Sequence, residues 1–257
     1  MRELGDELPR LAGVAGGRVA AETAVVWDWE SWWAVELPGH PSVDLDFKAR
    51  VLAHHRPLWH ANIPVDFVSP RADLGRYRLV VPSLYLVDDP GARNLTSSCG
   101  TRPVMSYFSG IVDEHDRVRA GGHPGAFREL LRLLVEEFSP LQPEETRGLS
   151  HAGRPGVAGE WQDVIVLDGA EALAEYTEGE YRGRAAATRH RFGAGSATYL
   201  GTSPDEATMS AVLLDAARLA GVVPVLDTPE GVEAVRRRAE DGTDHLFLLT
   251  TRSWPGR

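Results

Sequence analysis

The sequence contains a single cysteine, Cys99, in 257 residues. One cysteine excludes an internal disulfide framework and any zinc site built from several thiolates. Long apolar runs are also lacking, because no stretch approaches the roughly 20 residues that span a bilayer. The first nine residues are polar and acidic, whereas a secretory signal has a basic segment followed by an apolar one. We therefore expect a soluble, cytoplasmic protein with no membrane partner.

Positive charge is in deficit. Lysine and arginine number 27 against 37 aspartate and glutamate residues, for a formal net charge of −10. Proteins that bind nucleic acid need a basic surface to neutralise phosphates, so nucleic acid is not an expected partner. Hydrophobic residues make up 43% of the chain, which is ordinary for a globular protein with one large domain or two small ones.

Short apolar segments alternate with helical patterns from residue 24 to residue 221. The strand-like segments are 24–27, 65–68, 79–82, 104–108 and 164–167, and the helical patterns are 44–62, 88–98, 126–134, 170–176 and 203–221. Pro57 is expected to kink or end the first helix early. Ser203 is the expected N-cap of the last helix, with Pro204 at its first position and Glu206 completing a capping box. This alternation predicts an α/β fold, an open, mostly parallel sheet with helices on both faces.

Two hairpins are predicted, separated from the first strands by a Pro/Gly-rich connection at residues 139–159. Strands at 185–192 and 197–200 are joined by the glycine-containing turn 193–195. Strands at 232–238 and 245–249 flank Asp241 and Gly242, a turn dipeptide. A lone hairpin is marginally stable, so residues 227–257 are expected to be the truncated start of a β domain.

The first 13 residues have a helical pattern in Leu4, Leu8 and Leu11, closed by Gly13. We expect residues 1–18 to be a linker helix from a missing N-terminal domain, with a short helix docked on this domain as the alternative. The main domain then spans residues 19–226.

Few side chains of the sequence stand in a pattern typical of a catalytic or metal-binding site. Asp113 and Glu114 follow a predicted strand end, where α/β sheets bind ligands, but most such acidic pairs are solvated surface or helix caps. His115 and Asp116 could bind a metal beside Asp113, again with solvated surface as the alternative. No metal or cofactor is expected.

Nucleophile and anion motifs are weak. Cys99 precedes a predicted strand, whereas a nucleophile elbow follows one, and no Gly-x-Ser-x-Gly is present. An inert loop thiol is the expected role of Cys99. His54 and His55 are adjacent, so they lack the i, i+4 spacing of helical metal ligands. Residues 121–125 form a turn before a helix that could hold an anion.

Tryptophan is concentrated in residues 27–33, which hold four of the seven in the chain. They stand at a predicted strand end and in the loop after it. Exposed aromatic side chains mark a recognition surface for sugar or protein, since they bury a large area at little entropic cost. Trp29, Trp32 and Trp33 are therefore candidate interface residues, and a small aromatic core under the loop is the alternative. Trp27 is expected to be buried in either case.

Residues 27–33, Trp-Asp-Trp-Glu-Ser-Trp-Trp, resemble the start of the middle domain of glycoside hydrolase family 42, the bacterial β-galactosidases. The resemblance continues in order through Val-Asp-Phe-Val-Ser-Pro at 65–70 and Ser-Gly-Ile-Val-Asp-Glu at 109–114. Further similar segments are 73–82, 121–125, 183–186, 193–200 and 231–236. Each segment is short, but the ordered set is specific and covers nearly the whole chain.

The resemblance implies an arrangement of domains and a separate role for each. In that family a (β/α)₈ barrel carries both catalytic glutamates. The middle domain is similar to class I glutamine amidotransferases, a flavodoxin-like fold, but lacks their nucleophile and builds a trimer. A small β domain follows. The family's acid/base glutamate follows an asparagine, whereas Asn62 and Asn94 here precede Ile63 and Leu95. The resemblance therefore implies no catalytic residue in this chain.

The end of the sequence departs from the family. Where an asparagine-histidine pair is usual after the last strand, residues 250–254 read Thr-Thr-Arg-Ser-Trp, which suggests a truncation or a shifted reading frame. The leading hypothesis is the non-catalytic oligomerisation region of a β-galactosidase, a homotrimer, with a separate barrel chain as a further partner. The alternatives are a free-standing sugar-binding or scaffolding module and, less favoured, an amidotransferase-like enzyme.

Overall fold

The structure is a computed structural model that describes residue 5 and residues 8–39, 42–83, 89–97 and 100–250. Within these ranges the chain forms an eleven-stranded sheet and a three-stranded sheet. No helix among the described residues is long and apolar enough to cross a membrane.

The strands are numbered in chain order. They are β1 (Arg18–Val19), β2 (Thr23–Val26), β3 (Val65–Val68), β4 (Leu79–Val81), β5 (Arg102–Ser106), β6 (Leu133–Pro140), β7 (Arg147–His151), β8 (Arg154–Leu167), β9 (Glu171–Tyr176), β10 (Ala185–Phe192), β11 (Gly195–Leu200), β12 (Thr202–Pro204), β13 (Val232–Arg238) and β14 (Asp244–Thr250). The α-helices are α1 (Trp29–Val35), α2 (Phe47–His60), α3 (Asp89–Ser97), α4 (Arg128–Leu131) and α5 (Glu206–Leu219). Leu8–Val14 and Gly125–Phe127 form 3-10 helices.

One half of the large sheet is parallel. Its strands lie in the order β11, β5, β4, β2 and β3, and each neighbouring pair is parallel. Every residue of β2 and β4 is buried, as expected for strands covered on both faces. The five strands predicted in this half are confirmed within two residues of their expected ends.

The other half of the sheet is antiparallel, which corrects the prediction of a mostly parallel sheet. Strands β12, β8, β7, β9 and β10 lead up to β11, and β6 pairs with β8. The segment 139–159, predicted as a connection, contains β7 and the start of β8. The segment 170–176, predicted as a helix, is β9. Its pairing with both β7 and β10 outweighs the helix propensity of its two alanines.

Helices cover both faces of the sheet, as predicted. Helices α2 and α5 pack on one face through a core that includes Val51 and Leu213. Helices α3 and α4 pack on the other through Leu95 and Leu130. Pro57 lies inside α2 without ending it, contrary to expectation.

The helix starts and ends differ from prediction where side chains compete for a cap. Asp205, and not Ser203, caps α5, because its carboxylate accepts from the Thr208 backbone N–H at 2.8 Å. Ser203 lies in β12, which pairs with β8. The helix predicted at 126–134 is shortened to α4, since Arg132 takes a left-handed conformation and β6 begins at Leu133.

The two ends of the described chain meet in the small sheet, whose order is β1, β13, β14. The predicted hairpin is confirmed as β13 and β14, with seven registered pairs. The described part of the predicted N-terminal helix is the 3-10 helix Leu8–Val14, while Leu4 and residues 251–257 lie outside the described residues.

Candidate functional site

Most of the tryptophans predicted in a loop stand on a helix. Asp28, at the end of β2, caps α1, because its carboxylate accepts from the Ser31 backbone N–H at 2.9 Å. The helix therefore begins at Trp29, with Trp27 and Asp28 between it and the end of β2. Positions 29, 32 and 33 have i, i+3 and i, i+4 spacing, which places their side chains on one side of the helix.

The aromatic rings form a stack that runs from the core to the surface. Phe47, which is 2% exposed, lies nearly parallel to Trp32 with 6.3 Å between ring centroids. Trp32 stacks on Trp29 at 5.1 Å, and Trp29 contacts Trp33 at 6.3 Å. Trp27 meets Trp32 edge-on at 5.5 Å. The rings of Trp29 and Trp33 are thus held in place by Trp32, which packs against Phe47 in the core.

Exposure separates the candidate interface residues into two groups. Trp29 and Trp33 are 53% and 61% exposed, whereas Trp32 is partly buried against the core. The Trp32 indole N–H donates to Glu36 at 2.7 Å, and the Lys48 ammonium lies 4.8 Å from its ring. Trp32 therefore positions the two exposed rings. Trp27, expected to be buried, is also only partly buried.

The exposed apolar surface reaches the edge of the large sheet. Phe67, on edge strand β3, is 49% exposed and lies 6.5 Å from Trp27. Trp29, Trp33 and Phe67, connected through Trp27, are called the tryptophan face below. Contiguous exposed aromatic side chains of this kind mark interaction sites more often than surface decoration.

An acidic cleft borders the tryptophan face. It has a volume of about 250 Å³ and is lined by Asp28, Glu30, Ser31, Ala34, Val112, Asp113, Glu114 and Asp116. Two separate features of the sequence meet here because β2 and β5 run parallel, so their following loops lie at one edge of the sheet.

Asp113 is unsuited to act as a protonated acid. Its carboxylate accepts backbone N–H groups from Arg117 at 3.0 Å and His115 at 2.9 Å. These hydrogen bonds, that from Arg117 foremost, hold the pKa of Asp113 below its usual value. Among the described residues, no group of three or more His, Cys, Asp or Glu side chains is arranged to bind a metal. The suggested metal at His115 and Asp116 therefore gains no support.

The turn after β5 has the backbone of a strained elbow but the wrong side chain. Phe108 has φ of 58°, an unusual value for a bulky residue, and is 2% exposed. Ser106 and Gly110 stand two residues on either side. A buried phenylalanine cannot act as a nucleophile. Cys99 lies outside the described residues.

The anion suggested at residues 121–125 also gains no support. The 3-10 helix after this turn has three residues and α4 has four, so few backbone N–H groups are aligned toward a ligand.

The comparison with known families decides the assignment. Residues 21–223 match the family described as "Beta-galactosidase trimerisation domain". The chain belongs to this family.

Full-length relatives of this trimerisation domain are β-galactosidases. A β-galactosidase of an Arthrobacter species is 42% identical over 96% of this chain, and one of a Geobacillus species is 39% identical over 96%. The crystal structure of the β-galactosidase of Bacillus circulans sp. alkalophilus superposes with a TM-score of 0.92, at 34% identity over 96% of the chain. The chain spans only 36% to 38% of the length of these three proteins.

One structural residue of the trimerisation domain escaped the sequence reasoning. Asn62 follows α2 with φ of 53° and is buried. It hydrogen-bonds the segment that leads into β13 and Ala234 in that strand. An asparagine just past a helix end is a recognised signal for a left-handed position, and this signal could have identified it.

Proposed function

We propose that this chain is the non-catalytic oligomerisation region of a β-galactosidase, and that Trp29 and Trp33 form part of the contact between copies. The observation that carries the proposal is the pair of exposed tryptophans on a ring stack fixed by Phe47. Aromatic anchors that are rigid before binding lose little entropy when a partner covers them. Such residues dominate the energetics of protein interfaces.

The tryptophan pair supplies a large but insufficient part of the association energy. Covering the exposed parts of two tryptophans removes on the order of 250 Å² from water, a gross gain of about 6 kcal/mol. Association itself costs about 4–15 kcal/mol, and a stable interface buries about 800 Å² on each partner. The contact between copies must therefore extend beyond the two rings, and Phe67 on β3 is the adjacent apolar extension.

The charges beside the tryptophan face favour a ring of copies over a two-fold dimer. Glu30, Asp113, Glu114 and Asp116 line its border, where Arg71 lies 3.7 Å from Glu30 and His115 lies 4.0 Å from Glu114, so acidic groups outnumber these cations. A two-fold dimer places one patch against its own copy, which would bring the carboxylates together. A cyclic trimer places the patch against a different surface and avoids this repulsion.

The hydrolysis of β-galactosides belongs, in this proposal, to a catalytic barrel outside the present chain, in the same polypeptide or in a separate one. The division into a linker (1–18), a trimerisation domain (19–226) and the start of a β domain (227–257) is part of the proposal. The pairing of β1 with β13 argues against the boundary at residue 18, because it places residues 18 and 19 beside the hairpin. The cytoplasm is the proposed location.

The proposed relation to amidotransferases rests on the turn after β5. A positive φ directly after a central parallel strand is the geometry of a nucleophile elbow, and Phe108 stands where a nucleophile would be. This supports an ancestral enzyme fold that now serves assembly.

Sedimentation velocity at micromolar concentration tests the assembly. The wild-type chain should sediment as a trimer, and Trp33→Ala should shift it toward monomer while the denaturation midpoint stays nearly unchanged. Val223→Ala is the matched control, since Val223 is 70% exposed outside the tryptophan face. An unchanged trimer in Trp33→Ala, or a wild-type monomer throughout, would overturn the interface assignment.

Two activity measurements separate the alternative functions. The purified chain should not hydrolyse aryl β-galactosides, and turnover near 1 per second or above would reject the non-catalytic assignment. Galactose titrated against tryptophan fluorescence should leave the signal unchanged. A saturable change abolished by Trp29→Ala would instead favour a sugar-binding module.

A further inference from the structure

A second cleft lies where the parallel strands begin, whereas the tryptophan face lies beyond their ends. Its volume is about 590 Å³, which is within the range of small-molecule sites. The residues that line it include Arg102, Glu171, Arg189, Arg191, Ser196 and the turn that joins β10 to β11. Nothing in the proposed assembly uses this cleft.

The strand register places two of the arginines on one face of the sheet. Arg191 pairs directly with Ser196 across the hairpin. Thr198 pairs with Val104 in the parallel register of β11 and β5. Ser196 and Arg102, each two residues earlier on its strand, therefore lie side by side. Residues side by side on neighbouring strands point to the same face. Two strand spacings separate Arg102 from Arg191, so their Cα atoms lie about 10 Å apart.

These two arginines carry uncompensated charge. Among the lining residues three guanidinium groups face one carboxylate, that of Glu171, which pairs in register with Arg189. Arg189 also donates to Asp215 at 2.7 Å. Arg102 and Arg191 make no ion pair with any described residue. Positive charge confined to a cleft focuses the field, here in a chain whose net charge is −10.

The hairpin turn fixes the spacing of the site. A side chain at Gly195 would place its Cβ 2.7 Å from the Thr101 carbonyl oxygen, so this end of the hairpin lies directly against the start of β5. Gly193 has φ of 56°, which suits glycine at the turn. The strands that carry Arg102 and Arg191 therefore cannot separate freely, and the site is formed before any ligand binds.

We propose that this cleft binds a small multivalent oxyanion of the phosphate class between Arg102 and Arg191. The planar guanidinium group presents paired N–H donors that match two oxygens of such an anion. The inference is independent of the oligomeric state and of the tryptophan face.

The proposal is tested by measuring the thermal unfolding of the full chain at increasing phosphate concentrations. Chloride at equal ionic strength serves as the reference. Phosphate should stabilise the chain saturably, and at 100 times Kd the folded-to-unfolded ratio should rise about 100-fold. Arg102→Gln and Arg191→Gln should each raise Kd at least about tenfold, because a charged hydrogen-bond donor is lost.

Arg182→Gln is the matched control. Arg182 is exposed and precedes Ala185, the other end of β10, which lies about 20 Å from Arg191 along the strand. It should bind phosphate like the wild type. Equal stabilisation by chloride and phosphate, or unchanged phosphate binding in Arg191→Gln, would overturn the proposal. Arg191 is exposed, so this variant is expected to fold even where Arg102→Gln does not.

Discussion

Replacing Asn62 with alanine should detach the C-terminal hairpin from the α/β unit. The Asn62 side-chain amide donates to the Thr228 hydroxyl at 2.7 Å and to the Leu226 carbonyl at 3.1 Å. Its carbonyl oxygen accepts from the Ala234 backbone N–H at 2.8 Å. Its backbone carbonyl also accepts from the Val225 N–H at 2.9 Å. One buried residue thus connects the end of α2 to β13 and to the segment before it.

The expected loss combines two effects. Three side-chain hydrogen bonds at about 1 kcal/mol each give about 3 kcal/mol. Alanine at φ of 53° adds about 1 kcal/mol of backbone strain, so Asn62→Ala should lose about 4 kcal/mol of unfolding free energy. Asn62→Gly removes the same hydrogen bonds but tolerates the left-handed backbone, and its loss should be smaller.

Urea unfolding followed by fluorescence measures the total loss, and amide hydrogen exchange in β13 and β14 locates it. Asn94→Ala is the control, because Asn94 donates to the Pro70 and Ala72 carbonyls away from the hairpin. It should destabilise the chain without selective loss of protection in the hairpin. A loss below 0.5 kcal/mol in Asn62→Ala, typical of a surface change, would refute the hydrogen-bond account. Equal losses in Asn62→Ala and Asn62→Gly would refute the strain account.

Three further predictions concern ionisable and capping groups. Burial raises the pKa of Asp163 to about 7, so stability should fall by about 4 kcal/mol as pH rises from 4 to 7, and Asp163→Asn should abolish this fall. Burial lowers the pKa of His54 to about 4, so stability should fall by about 3 kcal/mol as pH drops from 6.5 to 4. The two groups change the unfolding free energy with pH in opposite directions. Urea unfolding of Asp163→Asn and of His54→Gln across this pH range should reveal each contribution separately. Profiles identical to that of the wild type in both variants would contradict both predictions. Asp28→Ala should cost about 1 kcal/mol in the same assay through loss of the α1 cap, with no loss counting against it.

Local patterns in the sequence were sufficient for the elements whose signals lie within a few residues. Strand β2 is an uninterrupted apolar run, and its burial on both faces follows from that composition. The hairpin of β13 and β14 follows from Asp241 and Gly242 between two apolar runs. Helix α5 follows from its apolar face, although the predicted cap, Ser203, is wrong and Asp205 caps the helix instead.

The tertiary structure decided features that depend on neighbours distant in the chain. Strand β9 has alanines that suit a helix, and only the strands on both sides select its extended form. The antiparallel half of the sheet follows from such pairings.

In the candidate site, too, local sequence accounts for some features and tertiary contacts for others. The sequence by itself shows four tryptophans in seven residues, but it predicts a loop where helix α1 carries three of them. Which rings reach solvent depends on Phe47, since Trp32 is partly buried in contact with it while Trp29 and Trp33 remain exposed. The acidic border arises because two parallel strands end at the same edge of the sheet. The strand order brings together carboxylates that are far apart in the sequence.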